Sequence, residues 1–160
     1  MIYRTLYNSP IGIIEIKGTE TYIRSLKFIE NETESDLDIP EILNDCKSQL
    51  EEYFNGKRKQ FTINIQQDGT EFQQKVWETL MKIPFGQTVS YLDIAKMMGD
   101  EKSVRAVGHA NGKNQLWIIV PCHRVIGSNG SLTGYAGKIW RKKWLLQHEF
   151  NIENDTLVLR

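Results

Sequence analysis

Apolar and polar positions alternate in three runs near the start of the chain, at residues 2–7, 11–17 and 22–28. These runs are rich in β-branched and aromatic residues. Asn8-Ser9-Pro10 and Gly18-Thr19-Glu20 break them, so the pattern predicts an antiparallel meander. From Pro40 the period lengthens. Ile42, Leu43, Cys46, Leu50, Tyr53 and Phe54 recur at helical spacing and stop at Asn55-Gly56, which predicts a helix. Cys46 lies on that apolar stripe as a small hydrophobe. Residues 61–65 predict one further strand, and Gln66-Gln67-Asp68-Gly69 has the composition of a linker. The expected division is therefore a sheet domain over residues 1–66 and a second domain over 67–160.

In the second part, Thr70 and Gln73 have the spacing of a capping box that opens a helix through Met81, with Phe72, Val76 and Leu80 on one face. Pro84-Phe85-Gly86 ends it. Ser90 and Asp93 cap a short helix through Met98, closed by Gly99, and another short helix is predicted over about residues 101–111. Two short helices joined by a tight glycine turn have the pattern of a helix-turn-helix, and equally of two packed helices. The second of them carries Arg105 among small residues. Its backbone could approach a duplex closely and leave Arg105 as a wedge for the minor groove. Residues 117–120 look like a strand that leads into Pro121-Cys122-His123-Arg124-Val125.

Of the 160 residues, 40% are hydrophobic and 25% charged, which excludes fibrous and disordered classes. Two cysteines make no disulfide framework, and they suit a reducing, cytoplasmic compartment. No apolar run approaches a membrane span, and the first residues lack the core of a signal peptide. The net charge of zero conceals an asymmetry. Residues 103–148 contain no Asp or Glu, but hold Arg105, Lys113, Arg124, Lys138, Arg141, Lys142 and Lys143. Such a stretch reads either as a surface for a polyanion or as a solvated face balanced by the acidic half.

Cys122 follows a proline and precedes His123 and Arg124. Cationic neighbours are expected to lower its pKa and populate the thiolate, the nucleophilic form. In an extended segment His123 would point away from the sulfur, so a bend or an intervening water is needed. Glu149, the first acid after the long acid-free stretch, is available to orient the base. A zinc site is not expected, because Cys122, His123, Cys46, His109 and His148 lack ligand spacing.

The run Pro121-Cys122-His123-Arg124-Val125-Ile126 closely resembles the active-site signature of the O6-alkylguanine-DNA alkyltransferases. The likeness extends to Phe72-Gln73, Val76-Trp77, Ile83-Pro84, Gly86, Ser90-Tyr91, Ile94-Ala95, Arg105-Ala106-Val107-Gly108, Asn114, Gly130, Leu132-Thr133-Gly134-Tyr135, Leu145-Leu146 and Glu149. It is strong over residues 70–150 and looser at Ser9-Pro10-Ile11-Gly12. The resemblance implies an α+β protein, with an N-terminal antiparallel sheet domain of ribonuclease H-like fold. The C-terminal domain would be mostly helical, with a winged helix-turn-helix-like motif. It implies direct-reversal DNA repair, in which the alkyl group of O6-alkylguanine, and of O4-methylthymine, passes irreversibly to Cys122. Each molecule would act once, as a suicide enzyme.

By the same resemblance His123 acts through a water as base, Glu149 holds it, and Asn114 ties the recognition helix to the active-site strand. Tyr91 would bond the purine and give a proton to the leaving guanine. Main-chain groups of Cys122, Val125 and Ala136 would meet the base, with Tyr135 and Trp117 at the pocket. Arg105 would fill the gap left by the flipped nucleotide, and Ser103, Ala106, Gly108 and Arg124 would also contact DNA. No metal or cofactor is implied. The partner is double-stranded DNA carrying O6-alkylguanine, not a membrane, and the protein is expected to act as a monomer. Gln115, Trp117, Ala136 and Lys138 depart from the family pattern; Lys138 stands where glycine is common. A lesion sensor without catalysis is disfavoured by Cys122 itself. A multiple-turnover cysteine hydrolase would leave the basic stretch and the Arg105 helix unexplained.

Overall fold

The computed structural model describes residues 1–154. They form two compact units, one of residues 1–67 with 115–119, the other of residues 68–114 with the described residues from Val120 on. The architecture is α+β, as predicted.

In the first unit β1 (Tyr3–Ser9), β2 (Gly12–Gly18) and β3 (Ile23–Ile29) make an antiparallel meander in the order β1-β2-β3. Alternation decides the buried face: Ile14 and Ile16 of β2, with Leu26 and Phe28 of β3, point inward, and Ile23, beside the register shift at Lys17–Gly18, is buried as well. Helix α1 (Glu41–Phe54) buries Leu43, Cys46, Leu50 and Tyr53, and packs on the sheet. Burial pushes the Cys46 thiol up to about 12, consistent with an inert core residue.

Residues 61–65 do not form the expected strand. Their exposure alternates as a strand's would, but only Ile65 pairs, in a lone parallel bridge to Ile23. The backbone of Thr62 instead bonds the side-chain amide of Gln49, at 2.9 Å and 3.1 Å. Residues 117–120 are likewise no strand. Leu116 makes one parallel bridge with Leu26, and the chain then turns sharply at Ile118, whose φ is +74°. The Ile119 amide donates to the Trp117 carbonyl at 2.8 Å, closing a positive-φ γ-turn. Such turns are rare and strained, all the more for a β-branched residue.

The second unit opens with α2 (Glu71–Leu80). Thr70 and Gln73 make a reciprocal capping box, at 3.1 Å and 2.9 Å. The Trp77 indole donates 2.9 Å to the carbonyl of Ala110 in α4 (Val104–Gly112). Between them lies α3 (Tyr91–Met97), capped by the Ser90–Asp93 box. Gly99, at φ +82°, ends α3. Amide bonds from Gly99 to Lys96 and from Asp100 to Ala95 complete a Schellman motif. A short 3-10 turn (Glu101–Ser103) then starts α4. This is the predicted helix-turn-helix. Two-residue strands β4 (Val89–Ser90) and β5 (Val125–Ile126) pair in parallel, and α5 (Ile139–Glu153) closes the unit.

Candidate active site

The local backbone around Cys122 is bent rather than extended. Pro121, at φ −79° and ψ 62°, makes an inverse γ-turn, with the Cys122 amide 2.7 Å from the Val120 carbonyl. A 3-10 turn (Cys122–Arg124) follows before β5 begins. Three successive chemically active side chains therefore leave a tight turn instead of alternating across a strand, and His123 and Arg124 converge on Glu149.

All three are buried, and His123 is 0% exposed. Its Nε2 lies 2.6 Å from Glu149 Oε2, while Nδ1 has no hydrogen-bond partner among the described residues. Glu149 comes from α5, on the same stripe as Lys142 and Leu145. Its Oε1 also accepts from the Gly86 amide at 3.2 Å. Gly86 sits at φ +83°, and a Cβ there would come within 2.9 Å of Glu153 Cβ, so glycine is required for this approach.

The expected lowering of the Cys122 pKa is not found. Burial pushes the thiol up to about 11, against opposing help from an Asn114 hydrogen bond and the Lys142 charge. The cation that acts on the thiol is Lys142 rather than His123 or Arg124, and desolvation outweighs it. The thiol is thus a proton donor at neutral pH and requires a base. Burial pulls His123 down, with Arg124 and Lys142 acting in the same direction against Glu149. Burial alone would raise Glu149, but His123 and Arg124 hold it well below the usual carboxylate range.

Asn114 follows directly after the end of α4. Its Nδ2 donates 2.9 Å to the Val120 carbonyl, tying the end of α4 to the turn before Cys122. Tyr91, at the start of α3, donates 3.4 Å to the Thr133 carbonyl, and its hydroxyl stands near Gly134. Tyr135 is buried and Ala136 exposed. The Val125 carbonyl accepts from the Lys142 ammonium at 2.6 Å. Arg105 and Ala106 lie exposed on α4, and Ser103 stands at its N-terminus. Gly108 faces the Tyr91 ring: a Cβ there would come 3.7 Å from Tyr91 Cδ1. Trp117 lies in the first unit, its ring 6.1 Å from Phe28.

Arg124 is the clear correction. It is 7% exposed, and its guanidinium bonds both oxygens of Glu149 and the carbonyl of Ile83, turned inward rather than toward a surface that could meet DNA. Arg141 and Lys142 are buried too. The exposed cations of the basic stretch are Arg105, Lys113, Lys138 and Lys143. Charge counting along a sequence cannot separate these two groups.

Two residues were missed. Lys142 donates to the carbonyls of Val125 and Thr133, at 2.6 Å and 2.8 Å, and burial lowers it to about 8. Its helical phase with Leu145 and Glu149 was the available signal. Asn111, 4% exposed on α4, reaches the Cys122 carbonyl at 3.4 Å, and its Oδ1 has no partner among the described residues. Gly86 stands in the sequence pattern as a helix terminator and a position of the family likeness, and the structure adds that its amide serves Glu149.

Two family models match the chain. Residues 71–151 match the DNA binding domain of 6-O-methylguanine DNA methyltransferase, and residues 2–67 match its ribonuclease-like domain. A Bacillus subtilis constitutive methylated-DNA–protein-cysteine methyltransferase is 46% identical, over 93% of this chain and 96% of its own. The crystal structure of Mycobacterium tuberculosis O6-methylguanine methyltransferase superposes with a TM-score of 0.86 at 41% identity, covering 94% of both chains. A structure of the Mycobacterium tuberculosis OGT in complex with DNA superposes with a TM-score of 0.84 at 41% identity, covering 92% of each chain.

Proposed function

The chain belongs to the 6-O-methylguanine DNA methyltransferase family, and from that membership we propose that Cys122 itself accepts the methyl group of O6-methylguanine during direct-reversal repair of DNA. The observation that supports this assignment is the pairing of a buried thiol with a neighbouring imidazole. One nitrogen of that imidazole is fixed on Glu149, and the other is uncommitted.

His123 Nδ1 takes the thiol proton through a bridging water, since adjacent side chains on the turn do not meet directly. The sulfur then attacks the methyl carbon in line. The S–C bond forms as the C–O6 bond breaks, and the electron pair returns to the guanine. Tyr91 delivers a proton to the leaving base, so that in net terms the thiol proton ends on guanine and Cys122 ends as a thioether. Glu149 stabilises the imidazolium that forms in between. A thioether has no facile way back, so each molecule acts once.

A base inside a duplex is out of reach of a buried sulfur and must be flipped out, at a cost of about a few kcal/mol. Arg105 occupies the vacated place, and the small residues beside it, with Ser103 at the helix start, let the α4 backbone come close. Main-chain groups of Cys122, Val125 and Ala136 read the flipped base, Tyr135 walls the pocket, and the protein works as a cytoplasmic monomer. Among the described residues no helix is long and apolar enough to cross a membrane.

Cys122→Ala tests the assignment. The variant is expected to transfer no methyl group while still binding duplex that carries the lesion. Residual transfer would move the acceptor elsewhere.

A further inference from the structure

A carboxylate hydrogen-bonded to a histidine pulls it toward the protonated form, because the opposite charge favours the imidazolium. A protonated imidazole has no lone pair with which to take the proton of a neighbouring thiol. The charge of Glu149 therefore works against His123 as a resting base unless something offsets it. The geometry contains a third member. Arg124 Nε donates to Glu149 Oε1 at 2.8 Å, and Nη2 donates at 3.1 Å to Oε2, the oxygen that also meets His123 Nε2 at 2.6 Å. Nη1 is anchored 2.8 Å from the Ile83 carbonyl, and the guanidinium lies 5.7 Å from the centre of the Phe85 ring. A planar fork on both carboxylate oxygens is the arrangement by which arginine binds an anion most firmly.

We propose that Arg124 is a positioning residue for the methyl transfer, taking up the charge of Glu149 so that His123 stays neutral, with Nε2–H on the carboxylate and Nδ1 open to the thiol proton. The proposal rests on His123 being the base.

The charged and titratable groups around His123 agree with it. Glu149 and Lys142 approach from α5, Arg124 and Cys122 flank it on the same turn, and the Tyr135 phenol couples to both Cys122 and Glu149. Two cations already face one anion there, so a third positive charge on His123 is unfavourable until the thiol yields its proton and becomes an anion itself. Burial pulls the imidazole down, and Arg124 adds to that pull. Arg124 thus sets the rest state of the base without touching the substrate.

The test compares the parent protein with Arg124→Gln and Arg124→Lys. Two quantities are followed against pH: the ring nitrogen NMR shifts of His123 without substrate, and the rate of methyl transfer from free O6-methylguanine base. In the parent protein His123 is expected to titrate below an ordinary imidazole. In Arg124→Gln the His123 titration should move to higher pH, so that transfer falls several-fold relative to the parent protein at acid pH and recovers at alkaline pH. Arg124→Lys, which keeps a charge but not the fork, should move the same way by less. An unchanged His123 titration, with the rate reduced by one factor at every pH, overturns the proposal and leaves Arg124 a packing residue. Should the glutamine variant fail to fold, an unmoved His123 titration in Arg124→Lys is equally decisive. Because the titration needs no substrate, a parent protein that transferred no methyl group would refute the alkyl-transfer reading separately.

Discussion

Lys138 holds φ +79° and ψ 144°, a conformation that non-glycine residues rarely adopt. The family resemblance places glycine at this position, and the backbone explains why. Lys138→Gly is therefore expected to stabilise the protein by about 1–2 kcal/mol, read as a higher denaturant midpoint at unchanged slope. A loss of stability would show that the lysine's contacts outweigh the strain. His123 makes a second prediction, about pH. Its folded-state pKa lies below the ordinary 6.5, so below that pH the unfolded chain binds the extra proton and the folded one does not. Stability from this group is present above pH 6.5 and is lost as pH falls. Glu149, depressed from 4.5, adds a second loss at more acid pH. Denaturant midpoints should fall from about pH 6.5 downward. His123→Asn should remove the upper part of that fall, and a flat profile between pH 6.5 and 5 in the parent protein would contradict a neutral, buried imidazole.

The elements whose signals are local were legible in the sequence. The meander, the two capping boxes and the Schellman end of α3 follow from β-branched runs, Thr70 and Ser90 with their partners three residues on, and Gly99. What failed depends on distant partners. Residues 61–65 have a strand's alternation but find a Gln49 side chain where a neighbouring strand was needed. Residues 117–120 have a strand's composition, and the γ-turns at Ile118 and Pro121 break it. The site shows the same division. Cys122, His123, Glu149 and Asn114, which the motif names, lie together in the structure, whereas the burial of Arg124 depends on how α5 packs, and that of Lys142 shows along the chain only in its helical phase with Leu145 and Glu149. Helix α4 carries a prediction of its own. Arg105→Ala should slow repair of duplex DNA far more than reaction with free O6-methylguanine base, because only the duplex requires flipping. Equal slowing of both would remove Arg105 from that role.

Across the whole molecule, the neutral charge and the acid-free stretch of the sequence resolve into cations with two different tasks. Arg105, Lys113, Lys138 and Lys143 face solvent, while Arg124 and Lys142 sit beside Cys122 and set the charge around it. Affinity for undamaged duplex should weaken steeply with salt through the exposed set. Arg124→Gln should leave that dependence unchanged, where a lost phosphate contact would alter the slope by about 0.9. The central claim concerns a single sulfur. The measurement that tests it most directly is intact and peptide-level mass spectrometry after mixing the protein with excess duplex carrying one O6-methylguanine. One methyl group on the peptide containing Cys122, with repair stopping at one lesion per protein molecule, is the predicted result. A protein that binds the lesion without gaining mass, or that gains the methyl group on another residue, would contradict it.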